Sequence, residues 1–238
     1  MRHTFVLVHG AWHGGWCWQL VRERLEAAGH RVVTPTLTGL GDRCHLAARD
    51  TGLDTHVTDV VSTIRFEDLR DVVLVGHSYA GQVISGVASA VSDRVRQLIF
   101  HDAFVPEDGQ SALDLLPPPV AAHFVESART DGDGWLMPRR PLAALGVTDE
   151  RARAWLEPRL VPHPLRTYQD GARVGGGIRS IPSGFVECTG WAGVFAPHAA
   201  KARDLGWPVR RIAADHEALA TAPAPLTEAL LGLTEALL

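Results

Sequence analysis

Short apolar segments rich in β-branched residues recur along the chain and alternate with segments of helical periodicity. Within the short segments the apolar residues are continuous rather than alternating, which is typical of strands buried on both faces of a parallel sheet. The pattern therefore predicts an α/β protein with a mostly parallel six-stranded sheet flanked by helices. The predicted strands are 4–9, 30–35, 71–76, 97–102, 183–188 and 208–213, and the early predicted helices are 16–28, 54–69 and 79–91.

This alternation stops between residues 105 and 179. The stretch contains most of the prolines and no convincing strand, and its segments 120–128 and 149–160 are predicted to be short helices. We expect it to be a helical cap inserted into a core made of residues 1–104 and 180–238. Such a cap would cover the carboxyl edge of the sheet, where open α/β folds place their sites.

A last helix is predicted from about Pro225, and the sequence LTEALL occurs twice in it, at 226–231 and 233–238. Leucines at this heptad spacing could form the seam of a homodimer. The interpretation that we favour is a terminal helix that packs its leucines on the sheet.

Composition and charge exclude several classes of protein. The net charge of −4 is spread over 238 residues of mixed sign, so the basic stripe of a nucleic-acid binder is missing. No apolar run reaches the ~18 residues that a membrane span needs, and three cysteines without C-x-x-C spacing indicate free thiols in a reducing compartment. The first strand starts by Thr4, which leaves no room for a signal peptide, so we expect a cytoplasmic protein without membrane or nucleic-acid partners.

The sequence VVLVGHSYAG, residues 72–81, ends a predicted strand on a serine that small residues surround. Ser78 lies in a G-x-S-x-A-G pattern between a strand and a helix, which is the context of a nucleophile elbow. Small neighbours are needed there because the backbone turns so sharply that it passes close to itself. A simple turn with a capping serine is the structural alternative, but the crowding of small residues favours a nucleophile.

A serine nucleophile also needs hydrogen-bond donors for the oxyanion that forms on its substrate. The first predicted strand runs into HGAWHGGW, where Gly10 permits a sharp turn that directs the N–H of Ala11 at the nucleophile. The N–H of Tyr79, which follows the serine, is predicted to be the second donor. An ordinary glycine turn is the alternative for the first half of this site, and its pairing with the serine motif favours an oxyanion hole.

The base that activates the serine is expected to be a histidine in a loop late in the chain, after the last strand. His216, in IAADHEALAT, has this place just beyond the predicted strand 208–213. His198 is the only late rival, and it lies in a proposed helix before that strand.

The arrangement resembles the α/β-hydrolases, and within them the plant methylesterase and hydroxynitrile-lyase group with its bacterial esterase-like relatives. The resemblance covers nearly the whole chain and rests on FVLVHGAWHGGWCW, VVLVGHSYAG, DAFVPEDG and ADH. It implies the α/β-hydrolase fold, a six-stranded core with a helical cap, no metal and no organic cofactor.

The position of the triad acid departs from the family pattern. The family usually places the acid just after the penultimate strand, where this chain has Gly190 and Trp191. Some α/β-hydrolases take the acid from the end of the strand after the nucleophile, and that strand ends here in Asp102. We predict Asp102 as the acid; Asp204 and Asp215 are the alternatives, and a loop-fixing role is the structural alternative for Asp102 itself.

These residues predict a serine hydrolase that cleaves an ester or lactone of a small hydrophobic or aromatic molecule through an acyl-enzyme. Apolar walls are expected around such a substrate. The candidate wall residues are Trp12, Phe104, Phe124, Trp135 and Trp155, although for each of them taken alone the core of the cap is the favoured interpretation.

Two other functions compete with the esterase. The same triad could act on another bond, as in a lyase, a C–C hydrolase or a tailoring enzyme, or the protein could bind a ligand without catalysis. Lyase relatives typically carry threonine in place of Gly10 and lysine in place of Glu217, and a carboxylate opposes the release of a cyanide anion. The sequence therefore favours an esterase within the family.

Overall fold

The centre of the molecule is a six-stranded sheet in which neighbouring strands are parallel, in the order β2-β1-β3-β4-β7-β8. It is seen in a computed structural model that describes residues 2–176, 180–191 and 193–238. The predicted α/β-hydrolase fold is confirmed, and the six predicted strands are present with ends displaced by no more than two residues. The described strands are β1 (Thr4–Val8), β2 (Arg31–Val33), β3 (Val72–His77), β4 (Val95–His101), β5 (Leu136–Met137), β6 (His163–Pro164), β7 (Ser183–Cys188) and β8 (Val209–Ile212).

Helices cover both faces of this sheet because its strands alternate their side chains between two apolar cores. Val6 and Val8 of β1 face one core, and Phe5 and Leu7 face the other. The first core is shared with α2, α3 and α7, and the second with α1 and α9. The described helices are α1 (Gln19–Ala27), α2 (Leu53–Phe66), α3 (Ala80–Ala90), α4 (Pro118–Asp131), α5 (Glu150–Leu156), α6 (Arg166–Gln169), α7 (Ala196–Asp204), α8 (Ala218–Thr221) and α9 (Pro223–Ala236).

The segment between β4 and β7 contains α4, α5 and α6 and a short antiparallel ribbon of β5 and β6. The prediction that this segment has no strand is wrong at the ribbon, because two-residue strands, one of which includes a proline, are too short to show a period. The segment contacts the loop after β1, since the N–H of Val161 donates to the carbonyl of Trp12 at 3.0 Å. Its division from the core as a cap stays a prediction, and residues 177–179 of the predicted cap lie outside the described residues.

The C-terminal helix α9 packs on α1, β7 and β8. Leu226, Leu230 and Leu233 are fully buried within the chain, as expected for a helix that covers the sheet; a homodimer stays a prediction. Among the helices that the structure describes, none combines the length and apolar character needed to cross a membrane.

Candidate active site

Ser78 occupies the turn between β3 and α3, at the carboxyl edge of the sheet. Its φ of 57° is in the left-handed region, which costs an L-residue roughly 1–3 kcal/mol. The two flanking glycines leave no room for a side chain. A Cβ on Gly76 would lie 2.8 Å from the carbonyl oxygen of Ala80, and a Cβ on Gly81 would lie 2.0 Å from the carbonyl oxygen of Phe104. The turn is thus tight enough to require the small residues that surround the serine.

A continuous hydrogen-bonded chain joins Ser78 to His216 and Asp102. The Oγ of Ser78 lies 2.9 Å from Nε2 of His216, and Nδ1 of His216 lies 2.7 Å from Oδ2 of Asp102. All three residues are at least nine-tenths buried. A carboxylate only accepts hydrogen bonds, so Nδ1–H donates to Asp102 and Nε2 is left to accept the serine proton.

The other acids and the rival histidine do not reach this chain of hydrogen bonds. Asp204 is exposed on α7, and Asp215 accepts from the N–H of Glu217 at 2.9 Å and from the hydroxyl of Thr221 at 3.0 Å. His198 accepts from the N–H of Val105, and burial lowers its pKa to about 4. Of the candidates weighed from the sequence, Asp102 and His216 are the ones that lie beside Ser78.

The imidazole of His216 is enclosed by aromatic rings. Phe195 stacks on it at 5.0 Å between centroids with an interplanar angle of 7°, and the rings of His77 and Trp191 lie at 4.6 and 4.8 Å. His77 also donates from Nε2 to the backbone oxygen of His216 at 3.0 Å, and burial holds the pKa of His77 well below its ordinary value. Neutral aromatic rings therefore hold the imidazole of His216 in place, and the hydrogen bond from His77 holds its backbone.

The loop after β1 begins at the same carboxyl edge of the sheet as the turn of Ser78, since β1 and β3 are parallel neighbours, and it contains Ala11. His9 donates from Nδ1 to the carbonyl of Gly10 at 2.8 Å and accepts the N–H of Leu37 on Nε2 at 3.0 Å. The Gly10 carbonyl and the Ala11 N–H belong to one planar peptide, so this hydrogen bond sets the direction of the N–H. Burial lowers the pKa of His9 to about 3, which keeps the ring neutral, so that one nitrogen can donate and the other can accept.

Two backbone N–H groups in this region are free to take a ligand oxygen. Among the described residues, neither Ala11 nor Tyr79 has a hydrogen-bond acceptor for its N–H. A Cβ on Gly10 would lie 3.0 Å from the Cβ of Ser78 and 3.0 Å from Nδ1 of His77, so a larger residue would press directly on the elbow. The glycine therefore allows the loop after β1 to approach the serine closely.

A buried ion pair connects the β1 loop with the His216 loop. Nε2 of His13 lies 3.2 Å from Oε2 of Glu217, and both side chains are almost fully buried. His13 also donates from Nδ1 to the carbonyl of Ala11 at 2.7 Å. Burial opposes both charges, but the attraction of the partner outweighs it, so the pKa of His13 is raised and the pKa of Glu217 is lowered.

This pair predicts a pH-dependent contribution to stability. A raised histidine pKa stabilises the fold below the ordinary value of 6.5 and loses this effect as the pH rises through the folded value. A lowered glutamate pKa stabilises the fold above 4.5 and loses this effect as the pH falls through the folded value. We therefore expect Glu217→Gln to reduce the free energy of unfolding by ~3–5 kcal/mol at a pH of about 5.5, and by clearly less at a pH of about 9.

Urea unfolding of the wild type and the variant at these two pH values measures the difference. Glu107→Gln is the matched control, because the pair of Glu107 with Lys201 is exposed and should contribute little at either pH. An equal loss at both pH values for Glu217→Gln would contradict the charged state of the pair.

The structure gathers three of the five predicted wall residues and leaves two elsewhere. The rings of Trp12 and Phe124 meet edge to face at 5.8 Å, and Phe104 packs on Phe195, which in turn stacks on His216. Trp135 instead lies under the guanidinium of Arg49, and Trp155 packs on Trp16. Phe104 therefore lies beside the Ser78–His216 pair, and its N–H also donates to the carbonyl of Ser78 at 3.2 Å. Trp135 and Trp155 belong to outer parts of the segment between β4 and β7.

Tyr168 connects these wall residues and was not predicted from the sequence. It stacks on Tyr79 at 5.1 Å and meets Phe124 and Phe104 edge to face at 5.8 and 6.3 Å. It lies on the four-residue helix α6, in a segment without periodicity, so no sequence signal marks it.

One group among the described residues has the spacing of metal ligands: atoms of His77, His216 and Glu217 lie within 4.8 Å of one another. Both ring nitrogens of His216 are already hydrogen-bonded to Ser78 and Asp102, and Glu217 is paired with His13. A metal here would have to break those contacts, so the arrangement suits a proton-transfer site better than a metal centre.

Comparison with known proteins places these features in a family. The sequence model of the alpha/beta hydrolase family matches residues 5–232. The chain is 41% identical over 240 residues to the carbendazim hydrolyzing esterase of Nocardioides sp. (strain SG-4G), covering 97% of this chain and 99% of that protein. It is also 35% identical over 108 residues to the alpha-hydroxynitrile lyase of Arabidopsis thaliana, but this covers 44% of this chain and 42% of the lyase.

A solved structure gives the same result for the fold. An extracellular alpha/beta-hydrolase from a Paenibacillus species, described as sharing structural and functional homology with tobacco salicylic acid binding protein 2, superposes with a TM-score of 0.86. It is 25% identical, and the match covers 97% of this chain and 98% of that one. The predicted resemblance to the plant group and its bacterial relatives is confirmed.

Proposed function

Because the chain belongs to the alpha/beta hydrolase family, we propose that it is a carboxylic ester hydrolase with Ser78 as the nucleophile and a small hydrophobic or aromatic ester or lactone as substrate. The observation that carries this proposal is the chain of hydrogen bonds from Ser78 through His216 to Asp102, at 2.9 and 2.7 Å. Relatives named as esterases support a hydrolase that acts on esters.

In the first half of the reaction, Ser78 attacks the carbonyl carbon of the ester while Nε2 of His216 removes the hydroxyl proton. The tetrahedral oxyanion is held by the N–H groups of Ala11 and Tyr79, which have no other acceptor among the described residues. As the C–O bond breaks, His216 returns the proton to the departing alcohol, and the acyl group stays on Ser78.

In the second half, a water molecule gives a proton to His216 and attacks the acyl carbon. The same two N–H groups hold the second oxyanion, and its collapse returns the proton to Ser78 and releases the carboxylic acid. Asp102 accepts the Nδ1–H throughout, which keeps Nε2 free as the base and stabilises the imidazolium.

The surroundings of Gly10 and Glu217 favour this reaction over the release of cyanide. A side chain at Gly10 would press on Ser78, and the buried carboxylate of Glu217 follows the base directly. Glu217, already paired with His13, offers no positive charge to a departing cyanide anion, whereas an alcohol that leaves with a proton from His216 needs none. Use of the same triad on another bond is the alternative, and analysis of the products distinguishes it.

Treatment of the purified protein with a fluorophosphonate tests the proposal without knowledge of the substrate. We expect one phosphonyl group per chain by intact mass, located on Ser78 by peptide sequencing, and no adduct in Ser78→Ala. A folded wild-type protein that takes up no label would contradict a serine hydrolase. The ligand-binding alternative would then become the better interpretation.

A further inference from the structure

Trp191 lies where strand β7 has ended, beside the end of β4 in the sheet. Its indole N–H donates to Oδ2 of Asp102 at 3.0 Å, the same oxygen that accepts from Nδ1 of His216 at 2.7 Å. The indole also lies 4.8 Å from the imidazole of His216. One oxygen of the carboxylate therefore has two donors, of which only one belongs to the predicted triad.

The backbone around Trp191 is adapted to the size of its indole. A Cβ on Gly193 would lie 2.1 Å from an atom of the ring, and one on Gly146 would lie 2.7 Å from the Cβ of Trp191. Neither position admits a larger residue while the tryptophan keeps its place. The two glycines thus pack tightly against Trp191 and hold its indole beside Asp102 and His216.

We propose that Trp191 is a positioning residue for the acid: its N–H holds the Asp102 carboxylate against His216 and takes up part of the charge that the imidazole would otherwise feel. The carboxylate follows β4 and the indole follows β7, so the tryptophan holds the acid from the position where the family usually has the acid itself. The catalytic role of this hydrogen bond rests on the proposed function, whereas the hydrogen bond between Trp191 and Asp102 is observed in the structure.

Other titratable groups surround the pair and remain the same when Trp191 is changed. They come from each element packed on it, and comprise His77 of β3, His101 of β4, Cys188 of β7, His198 of α7, and Asp215 and Glu217 of the His216 loop, the last of these paired with His13. A difference between wild type and a Trp191 variant therefore reports the indole N–H.

Trp191→Phe keeps an aromatic ring and removes the donor. Without the N–H, the carboxylate stabilises the imidazolium more strongly, so the acid limb of kcat/KM for p-nitrophenyl butyrate should move to higher pH by about one unit. At pH values below the limb, this shift lowers kcat/KM roughly tenfold. Trp207→Phe, which changes a tryptophan stacked on Phe100, is the matched control and should keep the wild-type profile.

A titration of the His216 ring resonances by NMR gives a second readout that needs no turnover, and the same shift is expected there. Replacement of Trp191 by β-(3-benzothienyl)alanine, which has the shape of tryptophan without the N–H, serves if the phenylalanine variant does not fold. An unchanged limb and titration would overturn the proposal, even with a lower plateau, because the proposal requires the lost N–H to move the midpoint. Failure of the proposed function is distinct, because it would appear as an unlabelled wild-type Ser78.

Discussion

Ser78→Ala should reduce kcat/KM for p-nitrophenyl esters by at least about 10⁴-fold, to the residual rate that the oxyanion donors and binding alone provide. In the proposed mechanism this hydroxyl forms the acyl bond, and no neighbour in the hydrogen-bonded chain takes over that step. The φ of 57° persists in the variant, and we expect an unfolding midpoint close to that of the wild type.

Ser85→Ala is the matched control for this prediction. Ser85 lies on α3, is fully buried and donates to the carbonyl of Gly81, so its loss tests the removal of a nearby hydroxyl without touching the nucleophile. We expect nearly wild-type turnover from it. A Ser78→Ala protein that still turns over esters at a substantial rate would show that the nucleophile lies elsewhere.

The second large effect is expected from Asp102→Asn, with a loss of roughly 10³–10⁴-fold in kcat and a small change in KM. An amide N–H₂ facing Nδ1 would favour the tautomer with its proton on Nε2, and that nitrogen then cannot accept from Ser78. The backbone should tolerate the change, because asparagine adopts a positive φ such as the 41° of Asp102 more readily than most residues.

Asp204→Asn tests one of the two alternative acids that the sequence analysis weighed against Asp102. Asp204 is exposed on α7, so its variant should keep the wild-type kcat in the same assay. If the losses were reversed, with Asp102→Asn active and Asp204→Asn inactive, the acid would be misassigned and the loop that carries His216 would have to rearrange during catalysis.

The strands and helices, and the part of the site around Ser78, could be predicted because the sequence patterns that mark them are local. The apolar run 72–76 identifies β3, and the small residues around Ser78 identify the turn, since both arise from the contacts of residues next to each other in the chain. His216 follows from the order of strands, because the loop after the last strand of such a sheet opens toward the nucleophile.

The remainder depends on contacts between distant segments, which no local pattern records. Trp191 and Asp102 are 89 residues apart, and His13 meets Glu217 across nearly the whole chain. Tyr168 lies in a segment without hydrophobic periodicity, and each strand of the β5–β6 ribbon has only two residues. In each case a residue's role comes from the partner that the fold brings to it.

The order of the chain has a consequence during synthesis. Ser78 and His216 are separated by 138 residues, so at a typical rate of 5–20 residues per second the ribosome needs about 7 to 28 seconds to add the base after the nucleophile. A nascent chain that has formed its elbow during this interval still has an unactivated alcohol. In the proposed mechanism, hydrolysis can begin only when β8 joins the edge of the sheet and places the following loop, so the onset of esterase activity would mark the completion of the sheet.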